Sequence, residues 1–394
     1  MTSHTSWPVL QIRDVALTFD GPHATPASTK TAQGGPVFLG ISSLKHGRLD
    51  LAESGFISEE DYDRWTRRVT PQAGDVVFSY ETRLGEVALI PDGLRCALGR
   101  RLALMRPKLN VIDPRFLLYA FLGPDFQAVI RKNTVEGSTV PRIMLTDYPR
   151  FPIAVPRLVE QQAIAATLGA LDDKIESNQR IGTIVPELVA ALVSEAVGVD
   201  AELVPVSSLA RFVNGGAYTK GASGSGRMVI RIAELNSGPG PSTVYNDLDV
   251  PADKVARPGD LLMSWSGSLD IYRWARPEAI INQHIFKVMP NALPAWLVHD
   301  RLKSVMPTFQ AIAKDKATTM GHIQRGHLEA TAVPMPSPEA IDRLDEALGP
   351  LWERLLHAEQ EVLRLASLRN VLLPELLSGR LRVREAIESR EGGI

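Results

Sequence analysis

Gly74-Asp75-Val76-Val77-Phe78-Ser79-Tyr80 returns later in the chain as Gly259-Asp260-Leu261-Leu262-Met263-Ser264-Trp265. Each copy is a turn followed by a short apolar run ending in a serine and an aromatic residue, the pattern of a buried strand entered from a tight turn. The repetition extends outward. Ser138-Thr139-Val140-Pro141-Arg142-Ile143 is echoed by Thr318-Thr319-Met320-Gly321-His322-Ile323, and Ala154-Val155-Pro156 by Val333-Pro334-Met335-Pro336. Each half then runs into a long amphipathic stretch containing Pro-Glu-Leu, at 186–188 and 374–376. A repeat of about 180 residues is too long for a solenoid. It reads as one globular domain plus one helix, made twice, and such a duplicated unit suits two half-sites on a duplex or two copies of a partner.

The expected fold is therefore α/β or α+β, with two repeated globular domains separated by two long helices that form an antiparallel coiled coil. The boundaries expected are 1–158 for the first domain, 159–200 for the first helical spacer, 201–336 for the second domain, 337–384 for the second spacer and 385–394 for a frayed tail. In the first domain Asp75–Tyr80, Glu86–Ile90 and Arg101–Arg106 read as strands. Asp113–Val129 reads as a helix that Gly123-Pro124 breaks in two. In the second, Met228–Ile232, Asp260–Trp265 and Ile280–Val288 read as strands. The run from Asn214-Gly215-Gly216 to Gly226 lacks the Gly-Lys-Ser/Thr ending of a phosphate-cradling loop and reads as a surface loop.

The spacers carry the clearest periodicity. Ile164, Leu168, Leu171 and Ile175 alternate steps of four and three. Asn178 keeps the step, and Ile181, Val185, Leu188 and Leu192 resume it. Pro186 is expected to kink or split this helix. Ile341, Leu344, Leu348, Leu351, Leu355, Ala358, Val362 and Leu365 repeat the pattern without a break, with Trp352 and Leu356 beside the seam. Ser337-Pro338 supplies a start and Gly379 a stop. About 38 residues of helix would form a rod of roughly 57 Å.

At 394 residues, 44% hydrophobic and 22% charged, the chain has the composition of a soluble protein with room for two or three cores. No apolar run is long enough for a membrane span, and Met1-Thr2-Ser3-His4 does not begin a signal peptide. The single Cys96 can form neither an internal disulfide nor a thiolate metal site, so a reducing cytoplasm is expected. The net charge of −2 conceals a segregation. Residues 100–157 hold ten Lys/Arg against four Asp/Glu, and 207–330 hold fourteen against ten. Residues 158–203 hold two against eight, and 337–394 eight against eleven. Basic domains on acidic helices can bind phosphate whatever the total, although solvated charge runs also cluster by chance.

No catalytic constellation emerges. Asp113-Pro114-Arg115-Phe116 and Asp147-Tyr148-Pro149 superficially resemble an amino-methyltransferase signature, but both lack its second proline and a preceding Gly-rich loop. His322 and His327 are five apart with no third ligand nearby, so no metal site is expected. Glu59-Glu60-Asp61 and Asp172-Asp173 read as solvated faces. A binding reading finds polar and cationic residues at matching places in the repeat. The candidates are Ser79, Tyr80, Arg83, Lys132, Ser138, Thr139 and Arg142 in the first domain. Their counterparts are Ser264, Trp265, Ser266, Ser268, Lys314, Lys316, Thr318, Thr319 and His322. Such side chains read base edges or hold phosphates. The plainer alternative makes Tyr80 and Trp265 core residues and the Ser/Thr residues helix caps.

The order domain, helix, domain, helix resembles the DNA-specificity subunit of type I restriction–modification systems. The resemblance spans roughly residues 8–384. It is carried by the strand 259–264, by Ile281-Asn282-Gln283-His284-Ile285, and by Pro156 with Glu160-Gln161-Gln162-Ala163-Ile164. Leu171-Asp172-Lys174-Ile175 and the closing run 372–379 add to it. It implies two target-recognition domains, each reading half of a split double-stranded DNA sequence, and helical spacers that set the gap. It implies a subunit without catalytic residues or a cofactor of its own. Two modification subunits that bind S-adenosylmethionine and methylate adenine would assemble on it, and two nuclease–translocase subunits using ATP and Mg can join, in phage defence. Three departures stand out. The first domain has Leu98-Gly99-Arg100-Arg101 where the second has its Asn-Gln pair. The second junction reads Ser337-Pro338-Glu339-Ala340. Finally, 30 residues separate Pro156 from Pro186, against 38 from Pro336 to Pro374. The other class of reading is a non-catalytic coiled-coil scaffold that joins partner subunits without reading DNA sequence.

Overall fold

The computed structural model describes residues 7–25, 34–52, 54–137, 140–315 and 321–383. It forms two compact units: Met1–Asp173 with Ala366–Ile394, and Lys174–Leu365. These units cut across both long helices, so each contains one globular domain and a stretch of each spacer.

In unit 1 a four-stranded antiparallel sheet has the order Ala16–Asp20, Leu102–Pro107, Val76–Ser79, Val87–Leu89. A smaller sheet has the order Gly55–Phe56, Val37–Leu39, Cys96–Leu98, its last two strands parallel. The strand Val9–Gln11 pairs with Pro152–Ala154 where the chain leaves the domain. Unit 2 repeats this plan. Its main sheet runs Ala210–Asn214, Ile285–Pro290, Leu261–Ser264, Ile271–Arg273, and its second sheet Tyr245–Asn246, Arg227–Ile230, Ala279–Ile281, Val255–Ala256. Arg227–Ile230 and Ala279–Ile281 are the parallel pair, and Leu203–Pro205 with Ala332–Pro334 matches the pairing at the domain exit.

The repeated apolar runs lie at the centre, covered on both faces, and this is why they do not alternate with polar residues. Val76 and Phe78 pack under the helices, where Phe78 stacks on Tyr148 at 4.5 Å, while Val77 faces the smaller sheet with Val37, Leu39 and Leu98. Leu261 and Met263 face the helical side in unit 2, and Leu262 the other. Gly74 and Gly259 have φ of 84° and 96°, a conformation in which glycine is the unstrained residue. The following aspartate closes the turn. Gln72 N donates to Asp75 Oδ2 at 2.8 Å, and Arg257 N to Asp260 Oδ2 at 2.7 Å.

One expected strand is two. Ile280–Val288 divides into Ala279–Ile281 and the start of Ile285–Pro290. At Asn282 the chain turns: its carbonyl accepts from Ile285 N at 3.1 Å, and its side-chain oxygen from His284 N at 3.3 Å. The helix expected to break at Gly123-Pro124 does so, as Pro114–Leu122 and Pro124–Lys132, with Asp113 capping the first. Arg227–Ile230 ends early because Arg231 begins the short helix Ile232–Ser237.

The spacers are the helices Leu158–Ala196 and Pro338–Leu377. Pro186 does not split the first. A proline removes a single i→i−4 bond, and the buried Val185, Val189 and Val193 hold both sides of that gap. Past Pro186 the apolar stripe leaves the expected register, with Leu188 39% exposed and Val189 buried. In the second helix Trp352 is buried in place of Leu351. Steps of four drift around a 3.6-residue helix, and the widest side chains go inward.

Within each unit the two helical stretches run antiparallel. In unit 1, Ile164 and Leu168 pack with Leu372, Leu373 and Leu376. Asp172 is not on a solvated face. It accepts from Tyr119 Oη at 2.7 Å and Arg369 Nη1 at 3.0 Å, and Arg48 lies beside it. Gln161 is a buried bracket, donating to the carbonyls of Val111 and Pro156 and accepting from Asp113 N. In unit 2, Asn178 donates to Glu361 Oε2 at 2.7 Å, and Val185, Val189 and Val193 share a cluster with Leu348, Trp352 and Leu355. A buried Asn in an apolar seam fixes register at some expense of stability.

Candidate nucleic-acid interface

In each unit three turns converge at the end of the repeated strand, bound by the same backbone bonds. Tyr80 N donates to Arg101 O as Trp265 N does to His284 O. Ile143 N donates to Tyr80 O as Ile323 N does to Trp265 O, and Thr82 N to Pro141 O as Gly267 N does to Gly321 O. The isolated bridges Glu81↔Arg142 and Ser266↔His322 complete the match. The duplicated sequence thus folds into a duplicated platform, with backbone fixed and side chains free to differ.

The candidates fall into distinct places on this platform. Ser79 and Ser264 are fully buried, and their hydroxyls donate to the carbonyls of Glu81 and Ser268, at 2.8 and 2.6 Å. They brace the turns from beneath. Tyr80 is buried as well, and its burial, followed by the Asp20 and Glu81 carboxylates, holds its phenol well above the ordinary range. Trp265 is half-buried, donating Nε1 to Gln283 O at 3.1 Å, with its ring beside His284 and Phe286. Arg83 is exposed and paired with Glu86 at 2.7 Å. Ser266 is buried, its hydroxyl 3.1 Å from His284 Nδ1. Ser268 is exposed and accepts from Asn236 Nδ2 at 2.9 Å.

Arg142 is exposed, and His322 is half-buried with its ring 6.3 Å from Trp265. Lys132 and Lys314 are exposed near the ends of the helices Pro124–Lys132 and Ala295–Asp315. Ser138, Thr139, Lys316, Thr318 and Thr319 lie outside the described residues. The platform also gathers residues that were not among the site candidates: Glu81, Arg101 and His284. The duplication itself was the available signal, since Glu81 and Ser266 each follow the repeated aromatic residue.

The arrangement can place cations and hydrogen-bonding groups on rigid turns. Among the described residues no group of three or more His, Cys, Asp or Glu is placed to hold a metal ion, and no helix is long and apolar enough to cross a membrane.

A duplicated platform of polar turns on a helical spacer defines the class of an adapter that presents two recognition surfaces. Residues 5–184 match the family described as the type I restriction modification DNA specificity domain, and the chain as a whole is similar to specificity subunits of type I restriction–modification systems. It is similar to the type I restriction enzyme MjaIX specificity subunit of Methanocaldococcus jannaschii, 21% identical over 416 residues, covering 96% of this chain and 94% of that one. It is also similar to the MjaX specificity subunit of the same organism, 28% identical over 179 residues; that match covers 43% of this chain and 40% of the relative's length. Among solved structures it shares its fold with the type I restriction–modification S subunit from M. genitalium, with a TM-score of 0.62 at 16% identity over 95% of this chain and 97% of that chain.

Proposed function

We propose that this chain is the sequence-reading, non-catalytic component of a type I restriction–modification complex in the cytoplasm. Each unit reads one half of a bipartite duplex target. The spacers carry two modification subunits, which supply S-adenosylmethionine and adenine methylation. Nuclease–translocase subunits using ATP and Mg join the same assembly. One observation above all supports this reading: the same turn platform is built twice on matched backbone bonds, with different side chains at its tips. A scaffold that only joined partners would have no use for that divergence, whereas a reader of two unlike half-sites requires it.

The test is exchange of residues 201–336 for the corresponding domain of another family member, followed by mapping of methylated adenines across a genome. One half of the recognised sequence should change, with the other half and the gap retained. Change in both halves, or in neither, would refute the modular reading. Methyl transfer by the isolated chain would refute the non-catalytic one.

A further inference from the structure

The two platforms carry opposite chemistry at equivalent positions. In unit 1 Glu81, Arg101 and Arg142 stand where unit 2 has Ser266, His284 and His322, as the matched backbone bonds and bridges fix. Arg101 Nε lies 3.0 Å from Glu81 Oε2, and its Nη1 donates to Thr82 Oγ1 at 3.2 Å. That leaves Glu81 Oε1 and the exposed Arg142, whose guanidinium has no ion pair or hydrogen bond among the described residues.

The backbone here is strained as well. Thr82 and Arg101 have φ of 70° and 74°, two of the three non-glycine residues in the left-handed region among the described residues. Unit 2 meets the same turn with Gly267, at 67°. A β-branched residue persists in that conformation only where its surroundings over-determine it, and such strain gathers at functional sites.

We propose that Arg142 and Glu81, braced by Arg101 and the Thr82 turn, read one guanine–cytosine pair in the half-site of unit 1, and that Ser266, His284 and His322 set the base pair read at the equivalent place in the other half-site. This rests on the half-site reading above. An arginine fork matches guanine O6 and N7, and a carboxylate accepts from cytosine N4, so the two adjacent side chains complement the two bases of one pair. Arg101 is a positioning residue, its guanidinium in an ion pair with the Glu81 carboxylate. The hydroxyl and imidazoles of unit 2 offer no such pair of carboxylate and guanidinium.

The experiment uses the full chain assembled with its methyltransferase subunits. Wild-type methylation first gives the split target, and duplexes altered at each base pair in turn are then titrated. Arg142→Gln and Glu81→Gln should each weaken the cognate duplex about tenfold to a hundredfold and erase discrimination at one guanine–cytosine pair of one half-site. Arg142→Lys keeps the charge and loses the fork, so discrimination should fall while the salt dependence stays. Arg101→Lys should reduce discrimination more than overall affinity. His322→Asn should alter the other half-site only.

Uniform weakening across all duplexes, with a salt slope flattened by about one, would make Arg142 a phosphate contact and overturn the proposal. So would unchanged discrimination in an assembled, stably folded variant. A variant that does not assemble transfers the decision to His322→Asn, where any effect on the half-site of unit 1 overturns the assignment. A wild-type complex that methylates no split target would defeat the parent reading instead, and the two failures are thereby distinct.

Discussion

Unit 1 neutralises the aspartate of its repeated turn with Arg106, whereas unit 2 uses Lys287, and the two cations come from different rungs of the same strand. Arg106 donates to both oxygens of Asp75, at 2.9 and 2.7 Å, and Lys287 lies 2.7 Å from Asp260. In register, Lys287 pairs with Leu262 as Leu104 pairs with Val77, so the lysine occupies the place of a core leucine. The layer between the sheets of unit 1 includes Leu104, Val77 and Leu39, and that of unit 2 includes Leu262, Ile281 and Ile230. On the far face of the second sheet, Val229, Val255 and Ile280 form a separate cluster, as Phe38, Ile57 and Ala97 do in unit 1. The lysine ammonium also donates to Val255 O at 2.7 Å. The backbone plan tolerates moving the partner cation by two residues, provided that the carboxylate closing the turn keeps a partner.

The largest expected effect tests which unit depends more on its pair. Arg106→Ala leaves Asp75, whose side chain is 2% exposed, without its cation, and should cost unit 1 about 3–5 kcal/mol. Lys287→Leu places at this rung the leucine that unit 1 has as Leu104. Asp260 is 27% exposed there and keeps its bond from Arg257 N, so the change should lie within about 1 kcal/mol of zero. Hydrogen exchange of the full chain, read over residues 76–79 and 261–264, assigns each loss to its unit. Equal losses in the two would show that the burial of the carboxylate does not set the cost of losing its cation.

A second contrast is titratable. His299 and Leu118 are each the fifth residue of the helix that follows the main sheet. The His299 ring lies 5.1 Å from Trp352, and burial, then the charges of Arg273 and Lys303, hold its pKa down to about 4, against a smaller opposing pull from Asp270. A folded-state value below the ordinary 6.5 means that the unfolded chain takes up the proton first on acidification. This contribution is therefore intact above pH about 6.5, falls as the pH drops, and levels off near 4 at a loss of about 3 kcal/mol. Unit 1 has leucine, which does not titrate, at that helix position. Stability of unit 2 should drop across that window, and His299→Leu should flatten the profile. A profile unchanged by the substitution would place the acid sensitivity elsewhere.

What could be read from the chain follows from what repeats. The strand Val76–Ser79 and its counterpart Leu261–Ser264 were legible because burial on both faces forces an unbroken apolar run. The helix breaks and caps were legible because Gly123-Pro124, Ser337 and Gly379 act locally. The turn at Asn282 was hidden, since Ile280–Val288 is apolar at both ends and the side-chain bond that bends it depends on conformation. Asp172 was misjudged because its partners Tyr119 and Arg369 are distant in sequence. On the platform, Ser79 and Ser264 were chosen for their hydroxyls, yet both face inward. Glu81 and Arg101 were not chosen as site residues because they become a pair only when two turns 20 residues apart are brought together.

The smallest expected effect concerns the turn in which the units differ by one methyl-bearing side chain. Thr82→Gly should relieve left-handed strain of about 1–2 kcal/mol. It also loses the Arg101 hydrogen bond, worth about 0.5–1.5 kcal/mol, and adds about 0.5–1 kcal/mol of chain entropy to be lost on folding, so the net change should lie within about 1 kcal/mol of zero. Gly267→Thr has no such compensation. The new Cβ would sit 3.3 Å from Ile232 Cδ1 at φ 67°, and His284, in the place of Arg101, already faces Ser266, so a cost of about 1–2 kcal/mol is expected. Denaturant midpoints of the two variants check this asymmetry. The functional readout should run the other way. A relaxed Thr82 turn no longer holds Glu81 and Arg142 to one geometry, so Thr82→Gly, nearly neutral for stability, should blur discrimination in the half-site of unit 1. A variant equally stable and equally discriminating would mean that the strain at Thr82 serves the turn alone and has no part in reading the duplex.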